Sequence, residues 1–397
     1  MKFSVLLPTR NRLEYLRYAI ETVRRQDYAN WEIIVSDNYS EDDIAGYVRS
    51  LSDVRIRYFR TESFVPVTDN WNNALLQSTG DYVVMLGDDD GLLPRYFSTL
   101  LRAFGSFPDP DFVYVSAYFY AYPSVMPDAP EGFLRRDRNG VFTEKAPFWL
   151  DAHRAEGIAR GYLDFRMPVA SNMQFSLISR RKIDELSQPD PFFQSPYPDF
   201  YATPMLFLKS SRILIYPRPM VVVGITPKSY GFFHFNNRAA DGVKFLKNDQ
   251  PQTRSSIVQS LMLPGTSYND SWLLAMEALS RNHGEKRGLR PNYRRYRFLQ
   301  IVHSYKQCYF DRSLSASGLA PLWARMRPTE KIIYGLALPV SFALLRLVPN
   351  GLRARLIAWL RHLIGQHAIR NESTAGRNFN NLVEVFESLD SNHAAAT

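Results

Sequence analysis

The chain has 397 residues, 45% hydrophobic and 22% charged, which suffices for two or three domains of about 150 residues and rules out wholesale disorder. Its one cysteine, Cys308, excludes an intramolecular disulfide, a cysteine-rich zinc site and a paired-thiol redox centre. A formal net charge of +9 favours an anionic partner, whether nucleotide diphosphate, nucleic acid or acidic lipid.

The chain opens with an apolar run, Phe3 to Leu7, which is too short for a signal-peptide core and is closed by Pro8, so a cytoplasmic N-terminus is expected. That run reads as a strand, as do Trp31 to Val35, Val54 to Phe59 and Tyr82 to Leu86. Between the first two, Leu13, Leu16, Ile20 and Val23 form one helical stripe with arginines elsewhere. Ser40, with Asp43 three positions on, resembles a capping box for a second helix through Leu51. A third helix is expected over Val67 to Gln77 and a fourth from Pro94. Asp109-Pro110-Asp111 then turns the chain into the strand Phe112 to Ser116. Strands alternating with helices indicate an α/β fold with a largely parallel sheet.

From Tyr118 to about Leu150 the pattern gives way to proline, aromatic and charged residues, with a helix expected around Phe148 to Arg160. Order returns at Ser171 to Ile178, in a helix after Tyr197 and in the apolar run Met220 to Ile225. Beyond about residue 240 the reading is helical: Ser271 to Arg281, Tyr293 to Tyr309, Glu330 to Leu347, Leu352 to Ile364 and Asn380 to Leu389.

Ligands of an open parallel sheet bind at the carboxyl ends of its strands. There the sequence has Thr9-Arg10-Asn11, Asp37-Asn38 and Gly87-Asp88-Asp89-Asp90. It lacks the G-x-G-x-x-G and G-K-[ST] loops through which bare backbone cradles phosphate. Three consecutive aspartates repel a diphosphate unless a divalent cation lies between them, so they imply Mg²⁺ or Mn²⁺ with an anionic substrate. The plainer alternatives are an acidic turn capping the helix at Pro94, and Thr9 or Asn11 as N-cap of the first helix.

Taken in order, Phe3-Ser4-Val5-Leu6-Leu7-Pro8-Thr9-Arg10-Asn11-Arg12, Trp31 to Asn38, Asn70-Trp71-Asn72-Asn73, Gly80 to Leu86 and the acidic triplet before Leu92-Leu93-Pro94 resemble the family 2 glycosyltransferases of GT-A fold over about residues 3–120. The resemblance implies a Rossmann-like mixed sheet with a C-terminal helical appendage. The expected divisions are a GT-A catalytic domain over 1–235 (donor half 3–120, acceptor half 121–235), a helical region over 236–370 and a terminal helix with tail over 371–397.

It further implies that Pro8, Thr9 and Asn11 line the nucleobase and ribose, that Asp37 bonds base or ribose, and that Asn73 lies near the donor. Asp89 would be the principal metal ligand, flanked by Asp88 and Asp90. Counted back from Pro94, the first acidic position of the usual D-x-D falls on Gly87, which leaves open which two carboxylates act.

Inverting members of the family need one further carboxylate as base. Asp199, at the start of the helix after Ser195-Pro196-Tyr197-Pro198, resembles that position, with Asp164 and Asp190 as alternatives. His234 is a candidate late metal or phosphate contact, or else a buried structural histidine. The absence of a Q-x-x-R-W segment suggests one sugar per encounter.

Ile332 to Val348 is apolar but interrupted by Pro339 and Arg346 and short for a spanning helix. Leu352, Leu356, Trp359, Leu360 and Leu363 alternate with arginines at helical spacing, suggesting either an interfacial helix drawn to anionic lipid or a helix packed on the protein with a solvated basic face. The expected activity is inverting, metal-dependent, non-processive transfer of a sugar from a nucleotide-sugar to a hydroxyl of a glycan or lipid-linked acceptor, in the cytoplasm or peripherally at the inner face of the membrane. Competing readings are a nucleotidyltransferase and a catalytically silent glycan- or membrane-binding protein; no nucleic-acid motif accompanies the arginines.

Overall fold

The computed structural model describes residues 1–126, 129–137, 141–194, 197–229, 232, 256–284, 288–349, 351–353, 355–356, 372–373 and 378–394. His234 and most of the expected helix Leu352 to Ile364 lie outside them. The chain divides into two compact units, one of residues 1–159, 169–248 and 369–397, the other of 160–168 and 249–368. The terminal segment thus belongs to the first unit, because Phe379, Leu382 and Val385 bury themselves in its core.

The first unit is built on one mixed sheet. Strands β1 (Phe3–Thr9), β2 (Trp31–Asp37), β3 (Ile56–Arg60) and β4 (Tyr82–Met85) are parallel, in the order β3-β2-β1-β4. Phe3, Val5, Leu6 and Leu7 of β1 are fully buried, as a central strand covered on both faces requires. Helix α1 (Leu13–Arg24) turns Leu16, Ala19, Ile20 and Val23 inward, the stripe expected from its sequence. Helices α2 (Ile44–Ser50) and α3 (Val67–Gln77) complete the βαβ pattern.

The capping expectation needs correction. Helix α2 is capped by Asp43, whose carboxylate accepts the Gly46 N–H at 2.7 Å. Ser40 instead closes the turn after β2, its N–H donating to Asp37 Oδ1 at 2.9 Å. A carboxylate that accepts the backbone bond one turn later leaves no orphan donor for the serine.

After the two-residue strand β5 (Gly91–Leu92) and α4 (Tyr96–Ser106), strand β6 (Phe112–Ala121) runs five residues past its expected end. The stretch read as irregular contains β7 (Phe133–Arg136) and β8 (Phe148–Leu150), ahead of α5 (Ala152–Leu163). A 3₁₀ turn (Met173–Phe175) leads into β9 (Ser176–Ser179), followed by α6 (Arg180–Leu186), α7 (Pro198–Lys209) and β10 (Ile213–Ile225). Strand β9 pairs antiparallel with both β4 and β6, and β10 pairs parallel with β6. Strands β4, β6 and β10 therefore share a direction, and their carboxyl ends lie on the same edge as those of β1 and β2. The first half of β10 was hidden by Pro217 and Pro219, where the register slips.

A buried carboxylate ties the opposite edge together. Glu32 accepts from Lys2 Nζ at 2.8 Å, Ser4 Oγ at 2.7 Å and the Thr79 N–H at 2.6 Å. Burial alone would raise its pKa, but these donors outweigh burial and bring it down to about 2. Its folded pKa lies below its unfolded value, so its contribution is present above about pH 4.5 and is lost as pH falls toward 2. Urea midpoints measured across that window should fall steeply in the wild type and less steeply in Glu32→Gln, a difference on the order of 2 kcal/mol.

The second unit is helical: α8 (Ser256–Leu261), α9 (Ser267–Leu279), α10 (Tyr293–Lys306), α11 (Ala320–Arg325) and α12 (Pro328–Leu347). A core of Leu263, Ile301, Tyr305, Leu319, Leu322 and Met326 takes Tyr334, Leu338 and Phe342 from one face of α12. The first unit adds the short β11 (Glu372–Ser373) at the sheet edge and ends in α13 (Leu382–Ala394). No helix among the described residues is long and apolar enough to cross a membrane.

Candidate active site

The acidic triplet follows β4 and is almost wholly withdrawn from solvent: Asp88, Asp89 and Asp90 are all buried. None of them caps α4. That helix starts after Arg95, and its first N–H, from Tyr96, donates to Gln26 Oε1 at 2.8 Å. The turn-and-cap alternative therefore falls, since its orphan donor is already satisfied.

Each aspartate has its own surroundings. Asp88 accepts from Thr9 Oγ1 at 2.7 Å and lies 2.6 Å from Arg12 Nη1. Asp89 Oδ2 accepts from Arg12 Nη2, from Ser229 Oγ and, at 3.0 Å, from Thr226 Oγ1. Asp90 is turned inward: Oδ1 accepts the Gly224 N–H at 2.8 Å, and Oδ2 accepts from Gln174 Nε2 at 2.8 Å and the Gly87 N–H at 3.0 Å. Burial, tempered by Arg12, pushes the Asp88 carboxyl up to about 6, and burial beside Asp89 pushes Asp90 well above the carboxylate range. Burial would lower the Arg12 pKa, but Asp88 and Asp89 more than offset it, and the guanidinium stays charged.

This narrows the expected metal set. Among the described residues no group of three or more His, Cys, Asp or Glu side chains converges as a ready cage. Asp90 is a structural anchor, because both its oxygens already serve N–H donors of the surrounding framework. Asp88 and Asp89 remain, two buried carboxylates facing one guanidinium, with Asp89 Oδ1 accepting no hydrogen bond from the described residues. Excess buried negative charge on hard oxygen donors suits Mg²⁺ or Mn²⁺, which a protein commonly holds by one or two carboxylates with substrate phosphates completing the shell.

Two glycines make the arrangement possible. A Cβ at Gly224 would meet the Asp89 carbonyl oxygen at 1.8 Å, so only glycine lets β10 pass there. A Cβ at Gly87 would meet Asp90 Oδ2 at 2.4 Å. This is the physical reason for the offset in the acidic pattern: the space of a first acidic side chain is filled by the carboxylate of Asp90. Gly224→Ala should lower stability by about 1–3 kcal/mol, as overpacking does, and move Asp89. Denaturant unfolding of the variant checks this.

Thr9, read as either cap or nucleotide contact, points to Asp88 instead of capping α1. Asn11 sits at positive φ (52°), its Oδ1 accepting the Glu41 N–H and its N–H donating to Ser40 Oγ, so it is not the cap either. Leu13 N–H is met by Asp42 Oδ2 at 2.9 Å. Pro8 is half-buried and pairs with Ser36 across β1 and β2.

Asp37 is fully buried, Oδ1 accepting from Ser40 and Oδ2 from Tyr58 Oη at 2.7 Å. Burial and this aspartate push the Tyr58 phenol up to about 12. Asn73 Nδ2 donates to Ser36 Oγ at 2.9 Å, one residue before Asp37. Pro8, Thr9, Asn11, Asp37 and Asn73 thus gather at the ends of β1 and β2.

Asp199 stands in the first turn of α7, where its carboxylate accepts the Phe200 N–H at 3.0 Å. One turn on, Thr203 Oγ1 donates to the Ser171 carbonyl at 2.7 Å, and the 3₁₀ turn that follows carries Gln174 to Asp90. Positions four apart share a helix face, so Asp199 faces the same side as the link to the triplet. Burial, partly offset by backbone N–H groups, pushes its carboxyl up to about 7. Asp190 is exposed, and Asp164 is paired with Arg166 at 2.8 Å in the other unit.

Sequence reasoning did not single out Arg12, Gln174, Gly224, Thr226 or Ser229. Arg12 lies within the quoted Thr-Arg-Asn-Arg run, and Thr226 follows the end of β10, so the strand-end rule could have found both.

Comparison with known proteins agrees with the N-terminal part of this picture. Residues 4–146 match the model of the family described as Glycosyl transferase family 2. The GalNAc(5)-diNAcBac-PP-undecaprenol beta-1,3-glucosyltransferase of Campylobacter jejuni is 42% identical over 104 residues, 25% of this chain and 34% of that protein. The putative colanic acid biosynthesis glycosyl transferase WcaA of Escherichia coli is 31% identical over 155 residues, 35% of this chain and 56% of that protein. The match therefore spans only about a third to just over half of these relatives' length. Among solved structures, S. aureus TarS 1-349 aligns over 86% of this chain and 89% of that one, with 16% identity and a TM-score of 0.43. The stretch that is similar to glycosyl transferase family 2, residues 4–146, is the one that holds β1 to β4 and the acidic triplet.

Proposed function

We propose that the chain transfers one sugar from a nucleotide-sugar donor to a hydroxyl of a glycan or lipid-linked acceptor, with inversion at the anomeric carbon. The observation that carries this reading is the burial of Asp88 and Asp89 at the carboxyl edge of a family 2 domain, with more negative charge than Arg12 neutralises. A lipid-linked acceptor is favoured by the undecaprenol-linked substrate for which the Campylobacter jejuni relative is named.

In this reading Asp88 and Asp89 hold Mg²⁺ or Mn²⁺ together with the donor phosphates. The bound ion would stabilise charge on the departing nucleoside diphosphate. Thr226 and Ser229 keep Asp89 oriented, and Thr9 does so for Asp88. Asp37 and its turn shape the nucleoside end, with Pro8, Thr9, Asn11 and Asn73 around it. Asp199 removes the acceptor hydroxyl's proton as the new bond forms.

The test is a panel of nucleotide-sugars incubated with Mn²⁺ and a lipid-linked or free glycan acceptor. Release of nucleoside diphosphate with a glycosylated product of inverted configuration is expected. Pyrophosphate release would identify a nucleotidyltransferase instead, and glycan binding without nucleotide binding would identify a silent binding protein.

A membrane surface is the second partner in this reading, on a separate observation. One face of α12 packs on its unit's core, yet Ile332, Leu336, Val340 and Leu344, four apart on another face, are exposed, Ile332 by 79% and Leu336 by 74%. Arg325, Arg327 and Lys331 stand at one end of this stripe and Arg346 and Arg353 at the other. A solvated apolar stripe flanked by cations suits the boundary of an anionic bilayer. Co-sedimentation with phosphatidylglycerol vesicles should be clear at low salt and fall several-fold in Leu336→Glu/Leu344→Glu; equal sedimentation of both would reject this surface.

A further inference from the structure

Arg12 stands where the cation of the preceding section would have to act. It is 8% exposed, with Nη1 2.6 Å from Asp88 Oδ1 and Nη2 bonded to Asp89 and, at 2.8 Å, to Thr226 Oγ1. Its Nε is also buried and finds no acceptor among the described residues. A buried guanidinium N–H left unpaired keeps its desolvation penalty uncompensated, so this pairing is one that the side chain leaves at reduced cost. A guanidinium and a hard divalent cation both draw on carboxylate lone pairs, and oxygens that serve one serve the other less well.

We propose that Arg12 is a displaceable internal counter-ion: it holds Asp88 and Asp89 together while no cation is bound, and a divalent ion must displace it to reach them. The inference rests on the reading of Asp88 and Asp89 as the ion's ligands. It accounts for two features together. Two adjacent buried carboxylates need a positive partner in the folded chain, and a guanidinium bridging both supplies it. The same guanidinium lacks one acceptor, as a group with a second position to occupy would.

It follows that the free chain binds divalent cations weakly because of Arg12, and that removing the guanidinium strengthens binding while lowering stability in the absence of ion. Mn²⁺ titration of the full chain, without nucleotide, followed by electron paramagnetic resonance of the free ion, measures this. Arg12→Met should bind Mn²⁺ at least tenfold more tightly than the wild type, about 1.4 kcal/mol. Arg12→Lys, which keeps one charge but cannot bridge both carboxylates, should fall between.

Circular dichroism reports whether each variant is folded. An Arg12→Met chain that is unfolded alone but regains native ellipticity with Mn²⁺ also supports the proposal, because an ion that binds only the folded state stabilises it. Equal Mn²⁺ affinity in the wild type and either folded variant overturns it and leaves the ion site standing. An unfolded Arg12→Met that saturating Mn²⁺ does not restore, with Arg12→Lys binding as the wild type does, overturns it as well. Absence of Mn²⁺ binding in every chain overturns both the proposal and the ion reading beneath it.

Discussion

Replacing Asp89 by alanine should lower metal-dependent transfer by about 10³-fold, with most of the loss in kcat. Lewis-acid stabilisation of a developing diphosphate is worth several kcal/mol, and each 1.36 kcal/mol is a factor of ten in rate. Asp89 has one oxygen with neither a hydrogen bond nor an ion pair from the described residues, while its other oxygen is steadied by Thr226 and Ser229. Asp90→Asn should behave differently. Its carboxylate serves Gly224, Gly87 and Gln174, so the substitution should show first as lost stability. Steady-state kinetics with Mn²⁺ held saturating, set beside a urea unfolding curve, separates the two cases, and an Asp89→Ala enzyme with unchanged kcat would end the proposal that this residue serves the ion.

Asp199→Asn should cost between about 10² and 10⁴ in kcat, the range for losing a positioned general base. Burial pushes the Asp199 carboxyl up to about 7, so the wild type should show a rising limb in kcat/KM, activity falling about tenfold per pH unit below 7 as the base becomes protonated. In Asp199→Asn that limb should vanish, because the group that titrates is gone. A purely structural Asp199 would leave the limb in place, and pH profiles of the two enzymes distinguish these outcomes.

The elements around the triplet were legible where local chemistry decides them. The stripe Leu16, Ile20, Val23 in α1 and the fully apolar β1 declare their period and their burial directly. Ser40 misled because two carboxylates, Asp37 and Asp43, compete for neighbouring N–H groups, and only the folded turn shows which serves which. The contacts that organise the site were less visible, since they span large separations: Arg12 meets Thr226 from 214 positions away, and Asp90 meets Gly224 from 134. No periodicity encodes such a meeting. The glycine at position 87 was visible as a departure from a pattern, but its cause, the Asp90 carboxylate filling its side-chain space, needed the backbone trace.

The terminal helix α13 has a consequence for how this protein is made. Tyr120 Oη donates to the Phe379 carbonyl at 2.8 Å, 259 positions later, and Leu382 and Val385 fill the core around Tyr120, Tyr122 and Val222. A ribosome adding about 5–20 residues per second needs roughly 13–50 s to travel from Tyr120 to Phe379. During that interval Tyr120 and Tyr122 have been made but lack the cover of α13, so the nascent chain is a natural client for chaperones that shield apolar surface.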